Sequence, residues 1–213
     1  MSTAVISQRR RVRSSAALKV MGAEVNGLIM TARQFDRALF EPGHRFELIN
    51  GVCVVAPPPD ENERLPNDVL SFTLRLYQQG PHGKFLNQTM PEHQIAVGSN
   101  RRRADRVIWC GLGRHPKRGE LPTIVIELVS EGRRSWIRDY ETKRDEYLAA
   151  GVREYWIINR FERTITVWSK TSTGRRKKVW REEQTLQTDL LPGFELPVAE
   201  VMGEASRWDD SAS

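Results

Sequence analysis

Glu127 interrupts a run that otherwise carries no charge. Pro122-Thr123-Ile124-Val125-Ile126-Glu127-Leu128-Val129-Ser130 has the pattern of a short buried strand, aliphatic and β-branched, entered by a proline and left through Ser130 and Gly132. Burying an unpaired carboxylate costs several kcal/mol, so this glutamate must be protonated, salt-bridged, at the strand's wet end, or bound to a cation. The last of these is chemistry. Asp105 heads a second strand-like run, Asp105-Arg106-Val107-Ile108-Trp109, directly after the basic stretch Arg101-Arg102-Arg103. Two strand-borne acids about twenty residues apart converge when their strands are neighbours. Downstream, Trp136 to Leu148 has helical spacing with Gly151 as its stop, and Asp139, Lys143 and Tyr147 share one face of it at i, i+4, i+8.

These residues need a scaffold. Thr31-Ala32-Arg33-Gln34 has capping-box form and predicts a short helix through Phe40, ended by Glu41-Pro42-Gly43. Arg45 to Val55 predicts a hairpin turned at Asn50-Gly51, and Pro57-Pro58-Pro59 closes it. Residues 62–79 predict a helix with Pro66 in its first turn and a core stripe of Leu65, Val69, Leu70, Phe72, Leu74, Leu76 and Tyr77. Strand-like segments follow at about 84–88, 93–97, 105–110 and 122–129, then the helix carrying Lys143. Further strands at about 153–159, 164–169 and 176–181 and an extended segment, Leu191 to Leu196, complete the core. That order predicts an α/β (α+β) fold, a mixed sheet flanked by helices. Residues 1–28 read as a basic, flexible arm, 29–203 as one domain, and 204–213 as a mobile tail.

Composition narrows the possibilities. The chain has 213 residues, enough for one domain with a real core, and its formal net charge of +6 favours a polyanionic partner. Cys53 and Cys110 are isolated in apolar stretches, the pattern of buried thiols in a reducing compartment, and His44, His82, His93 and His115 lack zinc-ligand spacing. The arginine-rich start contains no secretory apolar core, and no stretch approaches the roughly 20 apolar residues of a membrane span, so the expected location is the cytoplasm. Taken singly, the candidate residues have ordinary explanations. Asp105 could form surface salt bridges with the arginines before it, and Glu127 could be a structural carboxylate paired with an arginine or Lys143. Asp139 and Lys143 have the spacing of helix-surface partners, while Tyr147, Tyr155 and Trp156 suit a core.

Taken together they resemble a known family. Arg45-Phe46-Glu47-Leu48-Ile49-Asn50-Gly51, Ala104-Asp105-Arg106-Val107, Ile124 to Ser130, Asp139 with Lys143 and Tyr147, and Gly151 to Ile158 are similar, as ordered blocks over about residues 30–202, to the Uma family of restriction endonucleases. That family (DUF820-type) belongs to the PD-(D/E)XK nuclease superfamily. The resemblance implies a restriction-endonuclease-like core with its acids clustered on one side, and a Mg²⁺- or Mn²⁺-dependent endonuclease acting on DNA, possible as a homodimer. Asp105 takes the place of the first motif's aspartate and Glu127 that of the second motif's acid. The motif's lysine position is occupied by Val129, so the basic role falls to Lys143 on the following helix. Ala104 replaces the usual proline, which shapes backbone only, and the histidine that many relatives carry after the proline-rich turn is missing from residues 60–70.

The roles implied are metal binding by Asp105, Glu127 and the Leu128 carbonyl, water orientation or charge stabilisation by Lys143, and a further carboxylate from Glu47, which could instead brace the hairpin. Mg²⁺ takes hard oxygen ligands, and attack on an anionic phosphodiester requires a cation to screen it. The alternative is a catalytically inactive nucleic-acid-binding or regulatory module on the same fold. The basic clusters Arg101–Arg103, Arg133-Arg134 and Arg175–Lys178 supply affinity for phosphates rather than choice of base.

Overall fold

Val20–Met21 (β1) and Leu39–Phe40 (β2) pair in parallel on either side of a short helix, Ala32–Arg37 (α1). The computed structural model of the chain describes residues 20–130 and 138–207, with side chains from 140 onward in the second stretch. The first 19 residues, Arg133-Arg134, Trp136, the Asp139 side chain and the chain's end from 208 lie outside this description. Thr31 and Gln34 cap α1 reciprocally. The helix stops at Arg37, short of the expected Phe40, because Leu39 and Phe40 are drawn into the pairing with β1 and the Phe40 ring stacks on Phe46 at 4.4 Å. The arm expected to reach residue 28 has likewise given way by Val20, and Val25 packs in a small cluster with Phe35, Phe46, Leu48 and Cys53.

Arg45–Ile49 (β3) and Val52–Ala56 (β4) form the expected hairpin. Asn50 and Gly51 take left-handed φ values of 50° and 79°, as a type I′ turn requires. Glu61–Gln79 (α2) is capped by Asp60, which accepts from the Glu63 N–H. Pro66 lies in the helix interior rather than its first turn. The predicted stripe on α2 was too broad. Leu70 and Leu74 are fully buried, but Phe72 and Leu76 are 66% and 52% exposed, since at about 100° per residue they lie across the helix from that pair.

Leu86–Val97 (β5) and Asn100–Cys110 (β6) make a long hairpin through Gly98-Ser99. β5 is one strand where two were expected. Pro91 is accommodated within it because, among the described residues, β5 pairs only with β6, so the donor that proline lacks can face the other edge. Ile124–Leu128 (β7) follows as predicted. Within the described residues the next helix has a π-helical stretch, Arg138–Lys143, where plain α-helix was expected, and continues as Arg144–Ala150 (α3), stopped by Gly151 at φ 112°. Glu154–Asn159 (β8) lies parallel to β7, and Thr164–Thr171 (β9) and Gly174–Arg181 (β10) extend the sheet antiparallel. Thr185–Leu186 (β11) pairs with Leu196–Pro197 (β12), which leads into Val198–Ala205 (α4). The sequence reading did not anticipate α4 and placed a mobile tail from 204, but Ala205 is wholly buried.

The eight-stranded mixed sheet runs β10-β9-β8-β7-β6-β3-β4, with β5 added on β6. Strand alternation sends Ile124, Ile126 and Leu128 into an apolar core with Trp156, Leu70, Leu74 and Met202. Val125 and Val129 point the other way, toward Tyr147, Tyr155 and Ile157. Glu127 lies between these two and shares their face. Cys53 and Cys110 are buried free thiols. Among the described residues no helix is long and apolar enough to cross a membrane.

Candidate active site at a fork in the sheet

β6 has more neighbours than edges. β5 pairs along one whole edge, from Leu86↔Cys110 to Val97↔Asn100. The other edge is therefore shared: β7 occupies Arg106 to Ile108, and β3 touches it at Leu48↔Arg101. Between them the sheet forks opposite residues 102–105, and backbone groups there need partners that no strand supplies. Carboxylates provide them. Arg103 N–H donates to Glu47 Oε1 at 2.7 Å, and Leu128 N–H, just past the β6–β7 ladder, donates to Asp105 Oδ2 at 2.7 Å.

The other acid comes from β7. Lys143 Nζ donates to Glu127 Oε2 at 2.8 Å and Tyr147 Oη donates to Glu127 Oε1 at 3.2 Å. Lys143 closes the π-helical stretch and is 5% exposed, so it is no helix-surface partner. Burial, reinforced by the charge of Glu127, holds the Tyr147 hydroxyl well above the usual phenol range, so it remains a donor. Asp105 is 4% exposed and its carboxyl is pushed up by burial, against the pull of Lys143, the Leu128 N–H and Arg45. Its ionic partner is Arg45 from β3, at 3.1 Å, and not one of the three arginines before it.

The structure brings the expected residues together. Glu47, Asp105, Glu127, Leu128 and Lys143 all line one cavity of about 50 Å³, with Arg45, Arg103 and Ser130. That volume suits an ion and a water, a water's share of liquid being about 30 Å³. The oxygens suit a small hard cation in type. Both acids already carry cationic partners, however, and among the described residues no group of three His, Cys, Asp or Glu is placed to hold a metal.

Several members of the cluster escaped the sequence reading. Glu63, from the first turn of α2, is 3.2 Å from Arg45 Nη2 and accepts from Ser130 Oγ at 2.6 Å. Glu92 of β5 takes a left-handed φ of 48° opposite Asp105 and pairs with Arg103 at 3.1 Å. Arg102, 1% exposed, is held by Glu146 of α3 through two bonds of 2.7 and 2.8 Å, which ties the lysine-bearing helix to β6. Beneath the site Asn67 of α2 donates to the Asp105 carbonyl at 3.0 Å and accepts from Arg106 at 2.6 Å. Asp60-x-x-Glu63 looks like ordinary helix capping, and the left-handed backbone at Glu92 is visible only in the structure.

A mixed α+β sheet flanked by helices is also the fold of a crystal structure from Anabaena variabilis ATCC 29413, described as "a putative nuclease belonging to DUF820". The two share a TM-score of 0.65 at 14% identity, over 83% of this chain and 99% of that one, which is a likeness of fold. The family follows from sequence. The chain belongs to the Uma2 family, described as "Putative restriction endonuclease", whose profile matches residues 32–199. No curated protein matches it.

Proposed function

We propose that this chain is a divalent-metal-dependent endonuclease that hydrolyses phosphodiester bonds in DNA. The observation that carries the reading is that two strand-borne carboxylates, Asp105 and Glu127, and a buried lysine, Lys143, line one small cavity at the fork. Asp105, Glu127 and the Leu128 carbonyl are the oxygens that would hold Mg²⁺ or Mn²⁺. Such an ion screens the phosphate, lowers the pKa of its bound water and stabilises the leaving oxygen.

The chain's own groups supply the rest. Lys143 brings a compact positive charge to the cavity and orients water or stabilises charge developing on the phosphate. Tyr147 Oη, by donating to Glu127 Oε1, fixes which way that carboxylate faces. Glu47 holds the Arg103 backbone and so keeps the fork open beside Asp105. The family's name and the net charge of +6 agree with a nucleic-acid substrate.

Purified protein should nick or cut plasmid DNA with Mg²⁺ or Mn²⁺, and Asp105→Ala or Glu127→Ala should abolish it. Absence of cleavage of any DNA or RNA with either metal would sink the reading. One observation favours a second reading: both acids are already neutralised by Arg45 and Lys143. A catalytically idle nucleic-acid-binding module would need nothing more. It calls for metal-independent, salt-sensitive binding that survives both alanine substitutions.

A further inference from the structure

Arg45 stands at the point where three carboxylates from three elements meet. Its Nη1 lies 3.1 Å from Asp105 Oδ1 and 3.8 Å from Glu92 Oε1, and its Nη2 lies 3.2 Å from Glu63 Oε2. Those acids come from β6, β5 and α2, while the guanidinium is presented by β3. Its Nε donates to the Pro57 carbonyl at 2.9 Å, a tether that is independent of the acids. The match is incomplete. Glu63 Oε2 is shut from solvent and accepts no hydrogen bond from a described residue, so its contact with Arg45 has charge without alignment.

Asp105 and Glu127 therefore differ in how firmly they are held. Glu127 has both oxygens engaged from the helix that follows it, whereas Asp105 has one oxygen on a backbone N–H and the other on a long, movable side chain. Arg45 also lines the cavity itself. A divalent cation at Asp105 Oδ1 would repel a guanidinium at the same oxygen, and the two cannot share it.

We propose that Arg45 is a built-in counter-ion that a divalent cation displaces, and that the displaced guanidinium then grips a phosphate of the nucleic acid. This rests on the metal-dependent nuclease reading. In the metal-free protein Arg45 keeps Asp105, Glu63 and Glu92 from repelling one another. When metal takes over that task the planar guanidinium is released at the cavity's edge, with the two-pronged geometry that suits a phosphate.

The test is Mn²⁺ binding by titration calorimetry to the full chain at pH 8, in wild type and Arg45→Gln. The variant should bind Mn²⁺ about tenfold more tightly, because the competing cation is gone. With Ca²⁺ as the metal it should bind duplex DNA about tenfold more weakly, because the phosphate contact is gone. Equal or weaker Mn²⁺ binding by a folded Arg45→Gln overturns displacement, and unchanged DNA binding overturns the phosphate contact. Mn²⁺ binding by neither protein removes the nuclease reading itself, a different result. If Arg45→Gln does not fold, the Arg45 Nε–H signal in ¹⁵N NMR spectra of the wild type, assigned by its absence from Arg45→Lys, reads the same event. It should shift as Mg²⁺ is added, and a signal unmoved at saturating Mg²⁺ overturns the proposal.

Discussion

Two regions of the central sheet are buried to nearly the same degree with opposite energetic consequences. On one, Trp156, Ile126, Leu70, Leu74 and Met202 lie within 0% of solvent exposure, and each large apolar side chain contributes about 1.5–3 kcal/mol by leaving water. At the fork, Arg102, Asp105, Glu127 and Lys143 are 1–5% exposed, and removing their charges from water is costly. A buried ion pair can often be replaced by apolar residues with no loss of stability. Stability thus accounts for the first region and leaves the second needing another reason, which the proposed chemistry supplies.

The comparison can be broken or sharpened at several points. Trp156→Ala should cost the most, about 4 kcal/mol in urea unfolding, with any Mn²⁺-induced rise in melting temperature retained in the folded fraction. Lys143→Met should cost about 3 kcal/mol by stranding Glu127, and adding Glu127→Leu should recover most of that while removing the response to Mn²⁺. If the double variant stays as unstable as the single one, the pair is structural.

A smaller effect concerns pH. Burial raises the carboxyls of Asp105, Glu63 and Glu92, so these groups hold protons more tightly folded than unfolded. Their contribution to stability is complete below the ordinary carboxylate range and is lost as pH rises through the raised values. Acids nearer the surface such as Glu120, held down to about 2 by its bonds from Arg114 and the Lys117 N–H, act in the opposite sense at lower pH. The metal-free melting temperature should therefore fall as pH is raised above about 4.5, and Asp105→Asn should flatten that fall. An unaltered slope in the variant would remove Asp105 as its source. The smallest effect belongs to Phe72→Ser on the exposed side of α2, which should change stability by no more than about 0.5 kcal/mol.

Legibility in the sequence followed locality. Glu127 was conspicuous because an acid inside a β-branched run has few innocent explanations, and the Asn50-Gly51 hairpin and the Gly151 stop were readable because each depends on adjacent residues alone. The order of strands and helices gave the fold class. Lys143 needed the family resemblance, since i, i+4 spacing also describes a solvated helix face. Arg45, Glu63 and Glu92 could not be read at all as a group. They meet only because β6 serves β3, β5 and β7 at once, a set of pairings between segments far apart in the chain. The exposure of Phe72 and Leu76 follows from helical geometry, because the apolar residues of α2 fall on more than one face.

The β5–β6 hairpin also bears on how the protein folds. Its two strands close through Gly98-Ser99, so their contacts are local, like those of the β3–β4 and β9–β10 hairpins, while the docking of β3 on β6 and the parallel β7–β8 pair must each close a long loop first. We expect the hairpin to form early and to display Asp105, Glu92 and Arg103 before Glu47, Glu63, Glu127 and Arg45 arrive. Mutations at Ile95 and Val107 should then slow refolding, while those at Leu48 should mainly speed unfolding. On that order of events the acids are never gathered in the absence of cations, because the strand that delivers Glu47 is the one that delivers Arg45.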